Sequence, residues 1–390
     1  MPISAISRGV RFGAVGSLLL VCGIYATPGI AAEEQVDKPG YLSPPDLVEL
    51  MESSETVYEI HSVRGAADLD IDDFAELFWP SMGEALPYPQ IVVDEDGTRG
   101  LGAYQLDESC LKKLVEAEPL FEKQRYAEAL TFYQEAVDEF PDCYVAYLHA
   151  GDGHYFQGRI EEALPLYEKA VALNPYDFLG HFYRANALLQ LERYDEALSA
   201  YIRALAMKPH RKSILKVLRA RQKDLGIRVV DEPFQPKVLA RESEDVVEIY
   251  LNPDYAHWTA YGICKAVWIG EPSHREERTG KRKHEWTMTE ERQCLFSLLE
   301  GYYGFREDGT IDADPALERL LSVVKDGMLD GFVLYEIAYR LYPHIMLLLP
   351  EDSFSNVMKY VEAYVLVKNS GDEGSSSPAS DLREESEKNP

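Results

Sequence analysis

Arg125-Tyr126-Ala127-Glu128-Ala129-Leu130, followed by Tyr133, returns 34 residues later as Arg159-Ile160-Glu161-Glu162-Ala163-Leu164 with Tyr167. It returns once more, after the same interval, as Arg193-Tyr194-Asp195-Glu196-Ala197-Leu198 with Tyr201. Ala136, Ala170 and Ala204 keep the phase, and so do Pro141, Pro175 and Pro209. Three units in register are not an accident of propensity. A fixed period of this length marks stacked units, each too small to bury its own apolar face. The alanines at 129, 163 and 197 let paired helices approach closely. The tyrosines at 133, 167 and 201 fill the space between units. Each proline ends a helix, because it lacks an N–H and clashes with the preceding turn.

The pattern resembles the tetratricopeptide repeat, a helix–turn–helix unit that stacks into a superhelix with a concave face. The resemblance covers residues 110–211 and implies three antiparallel helix pairs, closed by a capping helix over 213–225. Gly151 and Ala185 stand where the family places a small residue. Other positions depart from it: His181 replaces an aromatic, Arg184 a leucine, and His154 and Leu188 a second aromatic. In the first unit Lys113, Glu116 and Leu120 fit poorly, and Pro119 suggests a kinked or shortened first helix.

The resemblance also implies a partner-binding groove along the first helix of each unit. Its positions are Val145, Leu148, His149, Asp152, Tyr155 and Phe156, then Leu179, Phe182, Tyr183, Asn186, Leu189 and Gln190. Repeats of this family that clamp a terminal carboxylate use Lys, Arg and Asn there. Only Asn186 matches, with Leu148 and Phe182 at the positions of a clamp lysine. An acidic terminus would lose hydration without gaining a counter-charge. The expected partner is therefore a protein or peptide offering an apolar or aromatic segment.

Outward from the repeats, the chain divides further. Arg8 and Arg11, the apolar run 12–26 around Leu18-Leu19-Leu20, and the small residues 27–32 have the layout of a cleaved export signal over 1–32. Residues 33–109 carry 19 acidic and 3 basic residues, and read as a small α+β region. Val57–His61 alternates like a strand, and 90–93 with 101–104 reads as a hairpin. Asp68, Asp70 and Asp72 imitate a calcium loop, but Asp73 and Trp79 replace its glycine and glutamate, so an acid-rich helix start over 72–78 fits better. Strands are expected only within 55–105. Residues 233–236 read as a linker, and 238–368 as an all-α domain with helices at 242–251, 255–268, 289–302, 315–325, 331–342 and 353–367. Ser273 to Glu285 reads as a charged, solvated loop, and 369–390 as a disordered tail. The fold class is thus mainly α.

The formal charge of -28 argues against nucleic acid and against anionic membrane surfaces, both of which select cations. The basic run 211–228 is read first as the solvated face of the capping helix, and second as a dock for an acidic segment. Four cysteines follow residue 32. Cys264 and Cys294 look the better pair, Cys110 and Cys143 too far apart, and four buried thiols are the plainest state. His149, Asp152 and His154 do not share one helix face, which disfavours a metal. HExxH, GxSxG, GxGxxG and the phosphate loop are absent. No catalytic residue, cofactor or metal is expected. The reading is an exported, non-enzymatic adaptor of the bacterial periplasm or envelope. Two others stay open: an enzyme with an unfamiliar site in 238–368, or an array whose groove is filled by its own chain.

Overall fold

The computed structural model describes residues 11–12, 42–63, 69–83 and 86–369. The cleavage site and most of the export-signal reading, and the tail reading from 370 onward, lie outside the described residues. The chain is mainly helical. Helix α1 (Pro44–Glu52) opens on a capping box, in which Ser43 and Asp46 satisfy each other's backbone N–H groups. A 3₁₀ turn at Ile71–Asp73, capped by the Asp70 side chain, leads into α2 (Phe74–Phe78). The acidic start of that helix is where the sequence placed it.

Six helices then run in the 34-residue rhythm: α3 (Glu108–Glu122), α4 (Tyr126–Glu139), α5 (Tyr144–Tyr155), α6 (Ile160–Leu173), α7 (Phe178–Gln190) and α8 (Tyr194–Met207). The capping helix α9 (Lys212–Ala220) starts in phase with α5 and α7, and α10 (Gln222–Leu225) follows it. Gln124, Gly158 and Glu192 occupy the same turn of each pair, and all three have left-handed backbone. Ala129, Ala163 and Ala197 are fully buried, as are Tyr133, Tyr167 and Tyr201. Helix α3 departs from expectation. It runs unbroken for 15 residues with Pro119 inside it. Asp107 caps its start by accepting from the Ser109 and Cys110 N–H groups.

The cysteines also differ from expectation. Cys110 and Cys143 form a disulfide with a Cα–Cα distance of 6.7 Å. Separation by one repeat brings them together rather than apart, because the first helices of consecutive units lie side by side. Cys264 and Cys294 face each other as buried free thiols. Closing a loop of 33 residues removes much unfolded-state entropy. Cys110→Ser should therefore cost about 2–4 kcal/mol, read as a lower urea midpoint. An unchanged midpoint, with the wild type confirmed oxidised by mass, would show that the link adds nothing.

The region after the repeats is not all-α. The expected helix 242–251 is a hairpin, β6 (Leu239–Ser243) and β7 (Val246–Leu251), turning at Glu244 with positive φ. Val246, Val247, Ile249 and Tyr250 are β-branched or aromatic and suit a pleated, half-buried surface. Strand β7 pairs in parallel with β2 (Val57–Ser62), from Val57↔Val246 to Ser62↔Leu251. The acidic region and the C-terminal region thus share one sheet, which β1 (Arg11–Phe12) extends beyond β2. The expected hairpin forms as β3 (Pro89–Val93) and β4 (Arg99–Ala103). It rests on the repeats: Asn174 donates to the Pro89 carbonyl and the Tyr104 hydroxyl to the Asp142 carbonyl. A third small sheet joins β5 (Ile227–Val229) to β8 (Leu366–Lys368), also outside the expected span.

The remaining helices are α11 (Thr259–Gly270), α12 (Pro272–Thr279), α13 (Met288–Glu307), α14 (Pro315–Lys325), α15 (Leu329–Phe332), α16 (Tyr339–Leu341), α17 (Ile345–Leu348) and α18 (Glu351–Tyr360). A π turn at Val333–Ala338 joins α15 to α16, and another at Val361–Val365 follows α18. The expected linker is core instead. Phe234 is buried among Trp79, Trp258, Tyr261 and Phe332. The expected solvated loop begins as α12, with Arg275 buried and donating to the carbonyls of Trp268, Ile269 and Arg282. Fixed carbonyls replace the water that a guanidinium would otherwise require.

Candidate functional site

The groove is built by the first helices α3, α5 and α7, with α9 continuing the wall. Of the residues read from the sequence, Val145, Leu148, Phe182 and Leu189 are buried among the helices themselves. Phe182 packs on Tyr183 and Tyr201. Leu148 and Phe182 therefore build the wall without lining its open face. His149, Asp152, Tyr155, Leu179, Tyr183 and Asn186 are half-buried, and Phe156 and Gln190 are exposed. Gln190 donates to the Tyr155 hydroxyl at 3.4 Å, joining the second and third units across the face.

The exposed apolar residues of this face lie on the first two units. Val115 on α3 is 67% exposed and Phe156 on α5 is 52% exposed. Phe156 stacks on Tyr126 at 5.3 Å and meets Phe121 and Tyr155 edge-on at 5.4 and 5.6 Å. Sequence reasoning missed Val115, Glu118 and Phe121. The signal was present, since counting 34 residues back from His149, Asp152 and Tyr155 lands on them.

Polar groups repeat along the wall with the same period. Tyr167 donates to Asp152 at 2.7 Å, and Tyr201 donates to Asn186 at 2.6 Å. The corresponding pair in the first unit is the wholly buried Tyr133 with Glu118, whose hydroxyl and carboxylate meet at looser geometry than in the other two units. His149 Nδ1 stands 3.3 Å from Glu118 Oε1. Burial lowers the His149 pKa to about 4, so the imidazole is neutral near pH 7 and does not balance that carboxylate. Burial, helped by the neighbouring Glu118 charge, pushes Asp152 up to about 7, against the pull of the Tyr167 hydroxyl.

His154, on the same helix, projects away from this cluster and its pKa is lowered by burial. Among the described residues no group of three or more His, Cys, Asp or Glu side chains is placed to hold a metal ion. No helix among them is long and apolar enough to cross a membrane.

A tetratricopeptide-repeat family model matches residues 148–212. No curated protein matches the chain. Solved structures similar to part of it include the first repeat domain of Spaghetti (RPAP3) bound to an HSP90 peptide, at 23% identity, covering 31% of this chain and 96% of that one, with a TM-score of 0.29. Another is the Yersinia enterocolitica type III secretion chaperone SycD with a peptide of the translocator YopD, at 16% identity, covering 30% and 91%, TM-score 0.28. A third is the repeat domain of Arabidopsis OM64, at 21% identity, covering 30% and 95%, TM-score 0.28.

Proposed function

We propose that this chain, which carries a tetratricopeptide-repeat segment, is an exported adaptor that holds a segment of a partner protein against the first helices of its repeats. The observation that carries the reading is the aromatic cluster of Phe121, Tyr126, Tyr155 and Phe156 at the end of the first two first helices, where Phe156 is half exposed, with Val115 exposed on the first helix α3. Isolated exposed apolar residues are ordinary, but a contiguous aromatic cluster that reaches the surface marks an interaction site. The partner offers an apolar or aromatic side chain to Val115, Phe121, Tyr155 and Phe156. The protein acts by holding and carries out no chemistry of its own. Export is supported by the Cys110–Cys143 link, since disulfides persist in oxidising compartments. The compartment is the bacterial periplasm or envelope.

The test is crosslinking capture from an envelope fraction by wild type and by Val115→Ser/Phe156→Ser. Anchor side chains in such a face typically contribute about 2 kcal/mol or more, so capture should fall at least tenfold. Tyr155→Ala should weaken it as well. Phe182→Ala is a poor probe, because loss of a buried phenylalanine costs about 3–5 kcal/mol of stability by itself. Undiminished capture by the folded double variant would remove this face as the binding site.

A further inference from the structure

A cavity of about 390 Å³ opens between α6, α7, α8 and α18, with apolar walls from Val171, Ala172 and Met358. At 3.6 residues per turn, its α7 residues, His181 and Arg184, fall on the side of that helix turned away from Asn186 and Gln190, so the cavity is separate from the groove. Two arginines line it, Arg184 from α7 and Arg203 from α8. Both act electrostatically on His181, which is buried at the same place with Nε2 3.0 Å from the Pro175 carbonyl. Burial, with Arg203 and Arg184 adding to it against the pull of that carbonyl, lowers the His181 pKa to about 4, so the ring is neutral and adds no charge of its own. Arg203 lies over the Phe354 ring at 5.3 Å and has no carboxylate within ion-pair distance among the described residues. Arg184 Nε stands 3.5 Å from Glu168, an exposed rim residue. Glu196 also acts on Arg184, but both its oxygens are taken by Arg193 at 2.7 Å. Two cations thus share one cavity with a single, exposed carboxylate.

We propose that this cavity binds a carboxylate carried on a short aliphatic stem, such as a glutamate side chain or a free dicarboxylic acid. The site goes beyond the groove reading and does not depend on it. A guanidinium presents paired N–H donors that match the two oxygens of a carboxylate. Arg184 and Arg203 approach from neighbouring helices and can both donate to one such anion, with the Ser199 hydroxyl as a further donor. The methylenes of the stem then lie against Val171, Ala172 and Met358. A phosphate has no apolar part and would leave those walls against water. The volume is that of a small-ligand pocket rather than of a single ion.

That chemistry has two sources. One is a separate molecule. The other is this chain, whose Asp372 and Glu373 follow closely on the last described residue, Asn369. Lys368 acts on Asp195 at the start of α8, and Ser199 and Arg203 follow Asp195 along one side of that helix, at i+4 and i+8. Arg203 is about 12 Å along the axis from Asp195. Four residues of extended chain, from Lys368 to Asp372, span at most about 14 Å. Asp372 and Glu373 are therefore within reach of the cavity.

The test uses the full chain with isotope-labelled methionine methyls and follows the Met358 signal by NMR as glutarate, or the diamine cadaverine, is added. Glutarate should shift that signal and saturate, and cadaverine should not. Arg203→Gln should weaken glutarate roughly tenfold, the usual worth of a charged hydrogen bond, whereas Arg203→Lys, which keeps the charge, should weaken it less. Arg184→Gln, on the other wall, should act like Arg203→Gln, so the result does not hang on the folding of one variant. Asp372→Asn/Glu373→Gln identifies the source. If the chain's own carboxylates fill the cavity, this variant moves the Met358 signal by itself and binds glutarate more tightly than wild type. If it changes neither, the ligand is a separate acid. A Met358 signal indifferent to glutarate in wild type and in that variant, an equal response in both arginine-to-glutamine variants and wild type, or an equal response to cadaverine would overturn the site. None of these readouts involves the groove, so capture of a partner there and occupation of the cavity can fail independently.

Discussion

Lys265→Met should abolish or nearly abolish stable folding. Lys265 is buried on α11, and its Nζ lies 2.8 Å from Glu290 Oε1 and 2.6 Å from Glu291 Oε2 on α13. Both carboxylates are buried as well. Tyr261 and Trp286 donate to Glu291 at 2.6 and 2.9 Å, and His284 Nε2 stands 3.1 Å from Glu290. Burial alone would drive the ammonium to neutrality, but the two carboxylates outweigh it and hold the lysine charged. Burial alone would likewise raise Glu290, and Lys265 more than reverses that. Removing one partner of a buried ion pair costs about 3–5 kcal/mol, because the charge left behind has no water. Here two acids are left behind. That loss is comparable to the whole stability of an ordinary domain, about 5–15 kcal/mol. Urea unfolding should show the variant unfolded or with a sharply lowered midpoint. Lys265→Met/Glu290→Gln/Glu291→Gln should recover most of the loss. The sign with pH should invert too. In the variant the bare carboxylates acquire raised pKa values, so its stability is fullest below the ordinary glutamate range and drains away as pH rises. A Lys265→Met protein as stable as wild type at pH 7 would mean that the three charges do not interact as their distances require.

What could be read from the sequence and what could not follow from the range of the interactions. The repeats were legible because their helices are set by local residues recurring at a fixed interval, and Ala129, Tyr133 and Pro141 each report on neighbours a few positions away. The hairpin β6–β7 was misread because its strands are short, and six residues such as Val246–Leu251 do not distinguish two periods. Its deciding partner is β2, far upstream, and no local pattern announces that pairing. The cysteine error came from treating distance along the chain as distance in space, which a stacked array reverses. For the groove, the family positions located the right helices, but Leu148 and Phe182 sit on the edge shared with the neighbouring helix and are covered by it. Glu118 and Val115 were passed over because Lys113, Glu116 and Leu120 fit the family poorly. A residue can fail a packing pattern and still occupy a place on the open face. The buried ion clusters leave no periodic trace, since Lys265 with Glu290 and His210 with Glu336 are joined only by the finished fold.

That second cluster sets a pH window. Glu336 lies buried in the π turn at 333–338, where one oxygen accepts from His210 Nε2 at 3.1 Å and the Phe234 N–H at 3.2 Å. The other accepts from the Tyr360 hydroxyl at 2.8 Å. His210 Nδ1 is 2.7 Å from Asp231, whose other oxygen takes Arg219 at 2.9 Å. The cluster therefore ties the foot of the capping helix to the C-terminal region. Burial by itself would lower the His210 pKa, but Asp231 and Glu336 together raise it to about 9. The unfolded histidine titrates near 6.5, so the stabilisation is complete below that pH and is lost as pH climbs through about 9. Asp231 and Glu336 are held below the usual carboxylate range, chiefly by His210 and in Glu336 against a large opposing effect of burial. Their share is present above the unfolded carboxylate pKa and disappears as pH falls beneath it. The contribution of the cluster should thus be greatest between about pH 5 and 6.5. Glu336→Leu leaves His210, Phe234 N–H and Tyr360 without their acceptor, and should cost about 3–5 kcal/mol. Glu336→Gln keeps the shape but removes one of two anions facing the imidazolium, so the His210 pKa should fall and the loss of stability toward pH 9 should flatten. NMR titration of the His210 ring in wild type and Glu336→Gln, with urea midpoints from pH 5 to 9, reads both effects. A wild-type His210 titrating near 6.5, or midpoints equally steep in the two proteins, would show that the histidine is not held as an ion between these carboxylates.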